Sequence, residues 1–175
     1  MTIWFGSDPH FYHTKVIEIC NRPFTSIEEM NESFYKEADT KIKEGDVVYL
    51  LGDISFAHHK EVLQRLRGHE RNIHLIIGNH DNNKYVINPK YWSSLSYYKE
   101  IKIDDTKVVL CHYPIESWNK QAHGSLHFHG HTHNNASHQV TSIPNRIDVG
   151  YDHMKQFLSS YEEIKQRLLN NEYNY

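Results

Sequence analysis

Four times along this chain a short apolar run ends abruptly on a side chain that can ligate or ionise. Ile3 to Phe5 stops at Gly6-Ser7-Asp8, and Asp46 to Leu51 stops at Gly52-Asp53. Asn72 to Ile77 stops at Gly78-Asn79-His80-Asp81, and Lys107 to Cys111 stops at His112. Continuous apolar, β-branched runs read as buried strands. Between them, Ser26 to Lys43 and Lys60 to Leu66 carry helical spacing, with Ile27, Met30, Phe34 and Ala38 on one face and Val62, Leu63 and Leu66 on the other helix's buried side. Ser26-Ile27-Glu28-Glu29 reads as a capping box that opens the first of these helices. Strands alternating with helices predict α/β layering, and open α/β sheets place ligand sites at the carboxyl ends of their strands.

The second half reads differently. Tyr97 to Ile103, the turn Asp104-Asp105 and Lys107 to Cys111 suggest a hairpin. Ser125 to His129 reads as a strand followed by Gly130-His131-Thr132-His133, and Arg146 to Val149 as another. Ser159 to Leu169 reads as a closing helix, with a capping box from Ser159 to Glu162. No repeat or linker marks a boundary, and 175 residues suit one domain, 1–175, with a core of its own.

Histidine is the compositional anomaly: 15 residues against 19 Lys and Arg together, spread from His10 to His153 rather than gathered as a tag. Their positions therefore need explaining. Asp8 and His10 flank Pro9, and His131 and His133 alternate behind Gly130, where the backbone can bend closely past a site. Oxygen and imidazole donors without thiolate suit Mn²⁺, Fe²⁺, Ni²⁺ or Zn²⁺. Cys20 and Cys111 form neither a disulfide framework nor a Cys-x-x-Cys pair and are expected to be reduced and buried. A net charge of −3 gives no general reason to bind duplex nucleic acid or an anionic surface. No apolar run is long enough for a membrane helix, and the opening residues lack a basic stretch ahead of their apolar one, so a cytoplasmic protein is expected.

In their order, Asp8-Pro9-His10, Gly52-Asp53, Gly78-Asn79-His80-Asp81, His112 and Gly130-His131-Thr132-His133 resemble the five signature blocks of the calcineurin-like metallophosphoesterases. Asp8 to Phe24, with His-Phe-Tyr-His and Asn-Arg-Pro-Phe, further resembles the small single-domain members of bacteria and their phages. The resemblance implies a four-layer αββα sandwich of two mixed β-sheets flanked by helices. It also implies two divalent metal ions, manganese foremost, with nickel, iron or zinc as alternatives. One ion would be held by Asp8, His10, Asp53 and His133, the other by Asp53, Asn79, His112 and His131, with Asp53 bridging. A hydroxide between the ions would attack a small phosphodiester, of the nucleotide or cyclic phosphate type, and His80 would protonate or stabilise the leaving oxygen.

Other residues carry weaker expectations. His13 and Arg22 follow the first motif and are candidates for substrate contact, Arg offering a fork that suits phosphate. Asp81 divides evenly between supporting its turn and touching the site. His127 and His129 share one face of a strand and are expected to form a polar strand face or to back the ligands. His58, His59, His69, His74, His123, His138 and His153 lack motif context and read as surface or structural residues, and Tyr173-Asn174-Tyr175 as a frayed end. After Gly52-Asp53 the chain continues Ile54-Ser55-Phe56-Ala57, without the Arg and second Asp of the Ser/Thr protein phosphatases, which disfavours a phosphoprotein substrate. A monoesterase, a metal- or nucleotide-binding protein without turnover, and a hydrolase of a non-phosphate bond remain as alternatives. Oligomeric state is not legible.

Overall fold

The computed structural model describes residues 1–68, 71–134 and 143–170. β1 (Ile3–Gly6), β2 (Val47–Leu50), β3 (Asn72–Ile76) and β4 (Ser94–Ser96) are parallel, and β9 (Ser159–Ser160) joins β1 antiparallel, giving the order β4-β3-β2-β1-β9. In the second sheet β5 (Tyr98–Ile103) and β6 (Thr106–Cys111) form the expected antiparallel hairpin, and β7 (Leu126–His129) and β8 (Arg146–Asp148) follow in parallel, in the order β5-β6-β7-β8. Both sheets are mixed, and helices flank them.

Alternation along the strands explains why β2 reads as an unbroken apolar run. Val48 and Leu50 face α1 (Lys15–Ile19), α2 (Ile27–Lys41) and α3 (His59–Arg67), in a core with Phe11, Met30, Phe34, Val62 and Leu63. Tyr49 and Leu51 face the other way and join Phe5 and Ile76 against Val108, Leu110, Phe128 and Ile147 of the second sheet. Each side chain of this size, once buried, contributes about 1.5–3 kcal/mol. α4 (Tyr151–Met154) and α5 (Tyr161–Leu169) close the chain, and Met154, Tyr161 and Ile164 enter the core between the sheets.

Three local details differ from the sequence reading. At α2, Ser26 caps the Glu29 N–H as expected, but the Glu29 carboxylate accepts from the N–H and hydroxyl of Thr25, one residue early for a capping box. The closing helix is capped by Ser160 and Glu163, because Ser159 pairs with Phe5 as part of β9. Leu126, His127, Phe128 and His129 are all buried, which corrects the expectation of a polar face for the two histidines. Trp118 packs over His127 at 5.3 Å between ring centroids and helps close that face. The short elements α1, α4, β4 and β9 were not anticipated.

Candidate metal centre

Parallel pairing brings the motif loops to one edge. Gly6 lies beside Leu50 and Leu50 beside Leu75, so the segments that follow carry Asp8, Asp53 and Asn79 out together. In the second sheet Leu110 lies beside Phe128, which brings His112 and the Gly130 turn out together. Main-chain hydrogen bonds tie the loops to one another: Asp8 N to Gly52 O (3.1 Å), His10 N to Asp53 O (3.1 Å) and Gly130 N to His112 O (3.0 Å). Asp8, His10, Asp53, His131 and His133 all adopt left-handed backbone, with φ of 54, 51, 55, 71 and 51°. For residues with a Cβ this costs roughly 1 kcal/mol or more each, a strain that clusters at functional sites. Gly78 and Gly130 are required for close approach. A Cβ on the first would overlap the Asp53 carboxylate, and on the second the Ser7 hydroxyl and Asp8 carboxylate.

Within this frame the ligand-type atoms converge. Donor atoms of Asp8, His10 and His133 lie within 4.8 Å of one another, as do those of Asp8, Asp53 and His112. His10 Nε2 is 3.2 Å from His133 Nε2, and Asp8 Oδ1 is 3.8 Å from both. Asp53 Oδ2 lies 3.7 Å from His10 Nε2 and 3.6 Å from His112 Nε2. Asn79 Oδ1 lies 2.9 Å from His112 Nε2. The His131 ring stands 5.1 Å from that of His112, and its backbone N–H donates to Asp8 Oδ2 at 2.9 Å. His80 is about half exposed, with Nε2 4.0 Å from Asp53 Oδ2 and its backbone N–H donating to Asp53 Oδ1 at 2.8 Å. His13 lies at the rim, stacked on Phe56 at 4.0 Å between ring centroids and 5.5 Å from His10.

These atoms fit a cation. Asp8 Oδ1 is buried without a hydrogen-bond partner among the described residues. His112 Nδ1 lies 2.6 Å from Leu51 O, a bond that places the proton on Nδ1 and turns the Nε2 lone pair toward two oxygen acceptors, Asn79 Oδ1 and Asp53 Oδ2. Burial, with the negative charge of Asp8, pushes the Asp53 carboxyl up to about 7. Burial also pulls His10 down to about 4. Burial opposes ionisation of Asp8 too, but the neighbouring imidazoles of His10, His112 and His133 hold its carboxyl well below the usual range. Two carboxylates and several imidazole lone pairs compressed in this way are relieved when positive charge sits among them.

The supports of the ligands come from elsewhere in the chain. Asp81 is buried, and its carboxylate accepts from the N–H groups of Asp53 (2.8 Å), Ile54 (2.8 Å) and Gly78 (2.9 Å), so it holds two motif loops together. Burial lowers the His133 imidazole, but Asp152 Oδ2, 2.6 Å from Nδ1, overrides it and with Asp8 raises the group to about 11. Arg22, expected to offer its fork to a phosphate, is enclosed instead. It donates to both Asp152 oxygens (2.8 and 2.7 Å), to Pro9 O (3.0 Å), to Asp8 O (2.8 Å) and to Met30 Sδ (3.5 Å), which uses all its N–H groups. Asp148 accepts from the Thr132 hydroxyl (2.5 Å) and the Gly150 N–H (2.6 Å), fixing the residue between His131 and His133. Sequence reasoning missed Asp148 and Asp152. Asp148 lies inside the strand candidate Arg146 to Val149 and is the last residue of β8 in the structure, whereas Asp152 carries no local mark. Cys20 and Cys111 are free and half-buried, and Cys20 Sγ lies within 4.8 Å of the His133 and Asp152 donor atoms.

Two facing mixed sheets that gather acid, amide and imidazole side chains at their strand ends make a sandwich with a candidate metal centre at one edge. The profile of the calcineurin-like phosphoesterase superfamily domain matches residues 1–151, and the chain belongs to that superfamily. It is 34% identical over 138 residues to an uncharacterized protein of Methanocaldococcus jannaschii, covering 76% of this chain and 70% of that one. It is 29% identical over 180 residues to the gene 66 protein of Mycobacterium phage D29, covering 86% and 87%. A crystal structure of a protein of unknown function from Aquifex aeolicus shares the fold, with a TM-score of 0.73, 22% identity and coverage of 94% of this chain and 98% of that one.

Proposed function

We propose that the protein hydrolyses a small phosphodiester, of the nucleotide or cyclic phosphate type, with two divalent metal ions. The reading is carried by Asp53 Oδ2, a single buried carboxylate oxygen 3.7 Å from His10 Nε2 and 3.6 Å from His112 Nε2. Asp8, His10, Asp53 and His133 would hold one ion, and Asp53, Asn79, His112 and His131 the other. When bound, such a pair supplies positive charge for the phosphoryl oxygens and makes water an effective nucleophile near neutral pH. Manganese is the first expectation, with nickel, iron or zinc as alternatives.

The chain's own groups do the rest. The Leu51 carbonyl fixes the His112 tautomer, and Asp152 turns the His133 ring so that Nε2 faces the centre. Backbone donation from His80 to Asp53 Oδ1 anchors the residue while its imidazole stays about half exposed at the mouth. From there it gives a proton to the departing alkoxide oxygen, or stabilises it by a hydrogen bond. His13, on the rim beside Phe56, is placed to meet the substrate as it enters. No helix among the described residues is long and apolar enough to cross a membrane. The two free thiols suit a reducing compartment, and we read the chain as one cytoplasmic domain.

The test is a metal-stripped preparation with Mn²⁺, Ni²⁺ or Zn²⁺ restored, given a chromogenic phosphodiester and the matching monoester. Diester cleavage should need metal, and His80→Ala should keep both metals while slowing turnover about 10²–10⁴-fold. Faster cleavage of the monoester would make it a monoesterase. Two bound metals with no turnover of either ester would favour a binding role.

A further inference from the structure

Exposed apolar side chains gather beside the candidate centre, where a soluble surface has no structural use for them. Ile87, Tyr97 and Tyr113 are 38, 71 and 43% exposed. Together with Ile77, Asn79 and Asn82 they line a cleft of about 440 Å³, a volume within the range of small-ligand sites. Tyr113 connects it to the centre, its ring meeting those of His131 at 4.8 Å and His112 at 5.1 Å in edge-to-face geometry. Tyr97 occupies the single residue between β4 and β5, where the chain passes from one sheet to the other. Tyr98 pairs with Cys111, so the same register carried one residue further sets Tyr97 beside His112.

We infer that this cleft is a nucleobase subsite, holding the base of the substrate while its phosphate lies at the metal centre. The inference rests on the phosphoesterase reading and names the substrate class as a nucleoside phosphodiester. Asn79 belongs to both the cleft lining and the proposed ligand set, so the two sites take parts of one molecule. Two tyrosine rings offer faces for stacking, which any base accepts, and the Asn82 carboxamide offers a donor and an acceptor to a base edge. A simple alkyl ester would use neither.

The experiment compares p-nitrophenyl esters of thymidine and adenosine monophosphate with p-nitrophenyl methyl phosphate on the Mn²⁺-loaded protein. All three release the same leaving group and differ only in the group retained. The ratio of kcat/KM, nucleoside over methyl, should favour at least one nucleoside and fall about tenfold in both Tyr97→Ala and Tyr113→Ala. Tyr98→Ala, whose ring lies outside the cleft lining, should leave the ratio where it is. A wild-type ratio near one, or a ratio untouched by both cleft variants, overturns the subsite while the phosphoesterase reading stands. If no ester is turned over, that reading fails instead, and calorimetric binding of thymidine and adenosine monophosphate against methyl phosphate decides the subsite. A nucleotide preference lost in Tyr97→Ala upholds it, and equal binding overturns it.

Discussion

The first sheet delivers its candidate ligands on loops tied main chain to main chain, whereas the His131 to His133 turn of the second sheet leans on buried side chains. Asp8, His10 and Phe11 donate their N–H groups to Gly52, Asp53 and Ile54, and Asp81 gathers three more N–H groups from the same loops. On the other side His133 depends on Asp152, Asp152 on Arg22, and Thr132 on Asp148. Backbone bonds survive most changes of side chain elsewhere, but a chain of side-chain supports fails when any member is lost. The carboxylate half of the centre should therefore be robust to remote substitution and the imidazole half sensitive to it.

Asp53→Ala carries the largest expected effect, because it removes the oxygen that lies between His10 and His112. Both metals and all turnover above background should be lost together, read by elemental analysis of dialysed protein and by the phosphodiester assay. Retention of one equivalent would show that the two halves bind metal independently. Arg22→Ala comes next. It leaves the Asp152 carboxylate buried with a broken ion pair, a loss of about 3–5 kcal/mol in urea unfolding. Metal affinity should fall about 10–100-fold through the loosened His133. An intact stability with only KM raised would break the comparison and return Arg22 to the substrate.

Fold class and the gathering of the candidate ligands at one edge were legible because both follow from local signals. A buried strand announces itself in a run such as Val47 to Leu51, and each candidate ligand sits a few residues past such a run or in a two-residue spacing like His131 and His133. The supports were not legible because they are long-range. Arg22 and Asp152 are 130 residues apart, and nothing near either one marks the pairing. Arg22 in isolation looks like a phosphate ligand, and only its five enclosed donors show otherwise. Short elements failed for a related reason. Ser159 and Ser160 are both good helix caps, and the pairing of Ser159 with Phe5, far away in sequence, decides between them.

Asp81→Ala tests the robust half. Three buried N–H groups lose their acceptor, and at about 1 kcal/mol each the chain should lose roughly 3 kcal/mol in urea unfolding. The backbone ties from Asp8 and His10 remain, so metal binding should weaken less than in Arg22→Ala. A greater loss of metal in Asp81→Ala than in Arg22→Ala would reverse the contrast between the halves.

The smallest effect is a pH dependence that belongs to the second sheet. His127 Nδ1 lies 3.1 Å from Val109 O, and its Nε2 lies 3.2 Å from Tyr113 O and 3.3 Å from the Ile115 N; the two carbonyls favour a charged ring, but burial outweighs them. Burial pulls it from 6.5 to about 4. Between those values the unfolded chain binds a proton that the folded one refuses, so the stability this residue contributes is full above about pH 6.5 and is lost as pH falls toward 4. From pH 7 to pH 5 the loss amounts to about 2 kcal/mol, measured by urea unfolding of the metal-free protein at the two values. His127→Gln should be less stable at pH 7, but its drop between pH 7 and pH 5 should shrink by about that amount. An undiminished drop in the variant would assign the acid sensitivity to the other buried histidines or to the carboxylates of the first sheet, and the division of labour between the sheets would have to be redrawn.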